Sequence, residues 1–117
     1  MSEVRGFDAR IHAPHRLRIC ALLDDVRELE FAVLRDTLSL SDSVLSKQLA
    51  VLADAGFIRS RRAKRDRRQR MWLALTGEGR RAFAAHVAAL RAIVGDEGER
   101  TGSALTPATR VGAGQAR

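Results

Sequence analysis

The chain reads as a mainly α domain carrying one small β-hairpin wing, and three observations support that reading. Apolar residues make up 45% of the 117 positions, yet aromatics only 4%, and Tyr is absent. The core must therefore be built mainly from Leu, Ile, Val and Ala, which suits helices packed along apolar stripes. Apolar positions recur at helical spacing in four separate stretches. Between the third and fourth the pattern switches to alternation, Phe57 to Arg62 and then Gln69 to Leu75, around a charged tip from Lys64 to Arg68. That is the signature of a hairpin. The length leaves room for one domain with a small core.

Each element has its own justification. Residues 1–6 carry no pattern and are read as a flexible N-terminus, and the folded domain is placed over 7–94. From Phe7 a short turn leads into a helix starting near Pro14, because proline is tolerated at the first helical position and disfavoured inside. That helix should stop at Leu23, since Asp24 and Asp25 sit badly at the negative end of the helix dipole. Phe31, Leu34 and Leu38 mark a second helix, and Ser39-Leu40-Ser41 the break after it. Ser41 is a good N-cap for a third helix, with Asp42 favourably placed in its first turn. Leu45, Leu49 and Leu52 form that helix's buried stripe, and Gly56 closes it at the left-handed position after Ala55. After the hairpin, Thr76 caps a last helix over roughly Gly77 to Val94. Residues 95–117 have no periodicity and are read as a disordered tail.

Two short helices joined by a tight turn, followed at once by a hairpin, make a winged helix-turn-helix. The charge pattern points the same way. Between Arg59 and Arg70 there are eight basic residues and one acid, Asp66, so this segment alone accounts for the +7 of the whole chain. A purely solvated face usually mixes signs, whereas charge gathered on one short element is the footprint of a polyanion-binding surface. Arg61, Arg62, Lys64, Arg65, Arg67, Arg68 and Arg70 are expected to engage the backbone of double-stranded DNA and its flanking minor groove. On the third helix, the face opposite the leucine stripe carries Ser43, Lys47 and Ala50, flanked by Ser46, Val44 and Val51. Ser41, Ser43, Val44, Ser46 and Lys47 are the candidate major-groove residues: hydroxyls for base edges or phosphates, an ammonium for guanine or phosphate, a methyl surface for thymine. Gln48 leans toward the core. This base-reading set is thin, so the wing should carry much of the affinity and DNA shape part of the specificity.

The residues resemble the winged helix-turn-helix regulators close to the MarR and ArsR families. IHAPHRLRICALL resembles their opening helix. EFAVLRDTLSLSDSVLSKQLAVLADAGFI resembles their helix, turn and recognition helix, and WLALTGEGRRAFAAHVAALRAIV their second wing strand and C-terminal dimer helix. The resemblance covers about Phe7 to Val94 and implies a homodimeric transcriptional regulator, often a repressor, on a pseudo-palindromic operator. The chain departs from the pattern at Ser43-Val44, where Gly-Asn is common, and at Lys47-Gln48, where Arg-His is common. Ser39 stands at a turn position where Gly is usual, which implies left-handed strain. Dimerisation through the terminal helices has a physical argument too: Phe83, Val87, Leu90 and Val94 line a stripe too apolar for one thin core to cover.

Other functions find little support in the sequence. His12, His15, Cys20 and His86 form no paired ligand motif, and the stretch Glu28 to Asp36 lacks the paired cysteines of metal-sensing ArsR proteins, so no metal and no cofactor are expected. Cys20 lies on a buried stripe and is read as an inert small hydrophobe. Trp72 is expected to pack against the helices. There is no phosphate loop, nucleophile elbow or paired catalytic carboxylate, so the protein is not expected to be an enzyme. With no membrane span, no signal-peptide core and one cysteine, a cytoplasmic location is expected. No effector pocket is legible. The alternative is a non-specific architectural DNA- or RNA-binding protein using the same basic hairpin.

Overall fold

A computed structural model describes residues 4–95. The N-terminal segment leads into a single helical turn, α1 (Ala9–His12), and then α2 (Pro14–Asp24), with Pro14 at its first position. A two-residue strand β1 (Leu29–Glu30) precedes α3 (Phe31–Leu38) and α4 (Asp42–Asp54). The hairpin follows as β2 (Ile58–Arg65) and β3 (Arg68–Leu75), and α5 (Gly77–Val94) ends the described chain. The three strands form one antiparallel sheet in the order β1-β3-β2. This is the winged helix arrangement anticipated from the sequence. The disordered tail expected over 95–117 lies, from residue 96 on, outside the described residues, as do residues 1–3 of the expected flexible N-terminus.

Aliphatic side chains from every layer meet in one core. Ile11, Ile19, Leu23, Leu34, Leu45, Leu52 and Leu73 are fully or almost fully buried, with Leu38, Leu49, Phe57, Ile58 and Leu75 around them. Removing one such leucine to alanine typically costs about 3 kcal/mol through lost transfer energy and the cavity left behind. The core packs α4 and the root of the wing, the two parts of a winged helix's reading head, against one another.

The capping chemistry follows the sequence closely. Ser41 Oγ accepts from the Val44 amide at 3.2 Å, and Thr76 Oγ1 from the Gly79 amide at 2.9 Å. Gly56 takes φ +81 after α4. Ser39 adopts φ 57, ψ 43, the left-handed conformation anticipated for that turn. The unfavourable end of α2 is answered from a distance. Arg80 Nη1 donates to the Asp24 carbonyl at 2.9 Å and to Asp24 Oδ1 at 3.0 Å, and its Nη2 donates to the Val26 carbonyl at 3.0 Å. Gly79 lets α5 begin hard against the wing root, since a Cβ there would overlap the Phe57 carbonyl oxygen.

Three features differ from the sequence reading. β1 was not anticipated, because two residues carry no periodicity; it is fixed only by pairing Leu29 with Leu73 and Glu30 with Trp72. The hairpin is longer than expected, its ladder running without a break from Ile58↔Leu75 to Arg65↔Arg68. The tip is therefore only Asp66-Arg67, with φ of 55 and 67, the left-handed pair of a type I′ turn. Arginine in that conformation costs about 1 kcal/mol, which the extra ladder pairs offset. Finally, Trp72 does not join the helical core. Strand alternation puts Met71 and Leu73 toward the helices and Trp72 on the other face, where the Arg61 guanidinium lies 5.7 Å from its ring centroid.

Candidate nucleic-acid interface

The third helix, α4, presents Ser43, Ser46, Lys47 and Ala50 to solvent, opposite the buried Leu45, Leu49 and Leu52. Val44 is half-buried. Ser41 sits at the N-cap, its hydroxyl committed as acceptor to the Val44 amide and 3.3 Å from Ser43 Oγ. Gln48, the one amide side chain on this helix, turns inward, where its Oε1 accepts from Arg16 Nη1 at 2.7 Å. Arg35 of α3 is tied down beside the helix entry, paired with Asp36 and Asp42 at 2.9 Å each. Hydrogen bonds to those two carboxylates push its pKa up, so its charge is permanent and already answered.

Between α4 and the wing runs an open cleft of about 500 Å³, whose lining includes Ser46, Arg35, Arg62, Arg68, Gln69 and Arg70. Among the described residues, Arg62, Lys64, Arg65, Arg67 and Arg68 take part in no ion pair, and all five are exposed. Arg65 and Arg68 are cross-strand partners, and Arg67 is at the turn. Like charges facing one another across a ladder repel. The folded wing therefore holds positive charge at close quarters, where an anion would relieve the repulsion.

The other two wing arginines singled out from the sequence are placed differently. Arg61 donates through Nε to Glu28 Oε2 at 3.0 Å and pairs with Glu28 Oε1 through Nη2. That guanidinium holds the Glu28 carboxyl below its ordinary range. Arg70 Nη1 pairs with Glu30 Oε2, the Arg70 and Glu30 side chains being only 27% and 15% exposed, and Arg70 Nε is buried without a hydrogen-bond partner. Both are anchored to acids at β1, Glu28 just before the strand and Glu30 within it. The sequence offered no sign of this, because the partners lie 33 and 40 positions away on a strand too short to detect.

On α5 the buried positions are Gly79, His86 and Ala89. The expected dimer stripe lies beside that row. Phe83, Val87 and Leu90 are half-buried, Phe83 partly against the core, while Val94 is 77% exposed and its neighbour Ile93 52%. Phe7 and Val4 of the N-terminal segment are also exposed apolar residues. Cys20 is fully buried, and its thiol is pushed up to about 12, chiefly by burial and then by Asp24 and Asp8. Among the described residues no three His, Cys, Asp or Glu side chains gather to hold a metal ion, and no helix is long and apolar enough to cross a membrane. Sequence reasoning also missed that His12 and His86 meet, 74 positions apart.

Residues 15–94 match the family model of a winged helix DNA-binding domain. Solved structures of similar fold include a transcriptional regulator homologue from Pyrococcus horikoshii OT3, 23% identical with a TM-score of 0.70, over 75% of this chain and 87% of that one. HlyU from Vibrio cholerae N16961 is 27% identical with a TM-score of 0.55, over 72% and 83% of the two chains. ZitR of Lactococcus lactis, described as a zinc-responsive MarR family member, is 23% identical with a TM-score of 0.53, over 74% of this chain and 58% of its own. No curated protein matches the chain.

Proposed function

Because the chain belongs to the winged helix DNA-binding domain family, we propose that it is a transcriptional regulator that binds double-stranded DNA sequence-specifically as a homodimer. The observation that carries this reading is the convergence of two surfaces. The exposed face of α4 and the wing meet along one cleft, which Ser46 lines together with Arg62 and Arg68, two cations that take part in no ion pair among the described residues. α4 enters the major groove, where Ser43, Ser46 and Lys47 reach base edges and Val44 supports a thymine methyl. The wing lies along the adjacent backbone, and Arg67 at the turn reaches toward the flanking minor groove.

Two copies are joined through α5, using Leu90, Ile93 and Val94 with Val87 and part of Phe83. A two-fold dimer places two α4 helices on successive turns of the duplex, which calls for a pseudo-palindromic operator. Occupying such a site would block transcription, so repression in the cytoplasm is the proposed role. No catalytic step is assigned to the protein.

Selection from random-sequence duplexes, with competitor DNA at physiological salt, tests this. Enrichment of a palindrome with half-sites about one helical turn apart is the expected outcome. Binding without enrichment would favour the second reading, a non-specific architectural DNA- or RNA-binding role. One observation favours that alternative: Gln48 is held by Arg16, so the one amide side chain of α4 is withdrawn from its outward face. Lys47→Ala should then separate the two readings, since it costs discrimination between sequences only if α4 reads bases.

A further inference from the structure

The segment from Phe7 to His12 holds on to several parts of the molecule at once. The Asp8 amide donates to His86 Nδ1 of α5 at 2.9 Å. His12 Nδ1 lies 3.3 Å from His86 Nε2, and the Phe7 ring sits 4.8 and 4.9 Å from the two imidazoles. Just before it, Gly6, at φ +88, lies so close to the Ala85 carbonyl that a Cβ would come within 2.9 Å. On the other side of α1, the Arg10 carbonyl accepts from Arg16 Nε, and Arg16 Nη1 reaches Gln48 on α4 at 2.7 Å. The Arg10 guanidinium also stands 4.9 Å over the Phe57 ring at the wing root. One short helical turn thus ties α5 to both parts of the reading head.

Hydrogen-bond chemistry fixes where the protons are. The Asp8 amide can only donate, so His86 Nδ1 must be the acceptor and the neutral ring carries its hydrogen on Nε2. That hydrogen points to His12 Nδ1, which must accept in turn. The pattern has no room for a further proton. On His86 Nδ1 it would face the Asp8 N–H; on His12 Nδ1 it would face the His86 Nε2–H. The same tautomer opposes a metal ion bridging the two rings, because the His86 nitrogen that would face it carries the proton.

We infer that α1 is a proton-sensitive clasp: protonation of His86 at its contact with Asp8 and His12 releases the N-terminal segment from α5 and, through Arg10 and Arg16, loosens α4 and weakens DNA binding. The DNA part of this inference rests on the function proposed above. The charged groups around the pair are Asp8 and Arg10, joined to each other at 2.9 Å, Arg16 of α2, and Glu78 of α5, whose carboxylate acts on Arg10. The Cys20 thiol, raised to about 12, stays neutral throughout. Burial, and then the neighbouring His12, lower the pKa of His86, against a smaller opposing effect of Asp8. The sign follows. A released His86 regains the ordinary histidine value of about 6.5 and takes up a proton that the clasped form refuses. Clasp stability is therefore fully present above that value and is lost as pH falls from it toward the lowered value of the clasped form.

The test uses the full chain between about pH 8 and about pH 5. Nitrogen NMR of His86 should report the neutral Nε2–H tautomer at the alkaline end. The Asp8 amide should lose its hydrogen-exchange protection toward the acid end while the amides of Leu38 in α3 and Leu73 in β3 keep theirs. The opposite tautomer, or Asp8 protection unchanged through the acid range, overturns the clasp without any mutant having to fold. In parallel, affinity for a random-sequence duplex at fixed salt should fall roughly five- to tenfold on acidification, and less than about twofold in His86→Gln, whose amide can still accept from Asp8. Equal falls in the two proteins overturn the coupling. Absence of duplex binding at every pH would refute the proposed function, and with it the coupling, while the NMR titration decides the clasp itself.

Discussion

Toward the root of the wing, Arg61 and Arg70 face Glu28 and Glu30 across the sheet, whereas Arg62 between them and, farther out, Lys64, Arg65, Arg67 and Arg68 have no acidic partner among the described residues. The residue types are nearly the same, but the electrostatic roles differ. Root arginines fasten the hairpin to β1 and so fix its angle to the helices. Outer cations leave their charge uncompensated and available to phosphate. A count of arginines in the sequence therefore overstates the uncompensated charge of the wing, and the difference between the two regions is made by a two-residue strand that places two acids.

The largest expected effect comes from stripping the outer region. A combined Arg65→Ala, Arg67→Ala, Arg68→Ala variant should lose two or more orders of magnitude in duplex affinity near physiological salt. Its log–log salt slope should flatten by roughly five units for a dimer, at about 0.9 per phosphate contact. Titration of both proteins at several salt concentrations reads this directly, and an unchanged slope would erase the distinction between root and tip. Gly79→Ala attacks the root instead. The added Cβ collides with the Phe57 carbonyl, so thermal or denaturant unfolding should show a loss of about 3 kcal/mol.

Smaller effects sharpen the comparison. Arg67→Gly removes one phosphate contact per protomer but also relieves a left-handed arginine. It should gain about 1 kcal/mol in unfolding free energy while flattening the dimer's slope by roughly two units. A variant that gained stability with no change of slope would place Arg67 off the DNA. Smallest is Glu28→Gln, which frees Arg61 to join the outer cations. Duplex affinity should rise about two- to threefold with little change in stability, since exposed ion pairs contribute little to it. A fall in affinity would show that the angle set by the Glu28–Arg61 pair matters more than the liberated charge.

The helices, their caps and the order of elements were legible because each leaves a local mark: a leucine every third or fourth residue, Ser41 and Thr76 at N-caps, Gly56 in a left-handed position. Even the strained turn at Ser39 showed as a departure from glycine. What escaped detection depends on partners far away in the chain. Glu28 and Glu30 look like ordinary surface acids until β1 sets them beside the wing. Trp72 looks like a core residue until the register turns it to the outer face of the sheet. His12 and His86 look like unrelated histidines until α1 docks on α5. The candidate DNA surface was accordingly visible in its extent but not in which of its arginines remain free.

The salt dependence of duplex binding by the unmodified chain tests the central claim most directly. Five phosphate-neutralising cations on each protomer of a dimer predict a log–log slope of roughly −9. A slope shallower than about −3 would contradict the account, because the outer wing would then not be the main electrostatic contact with DNA.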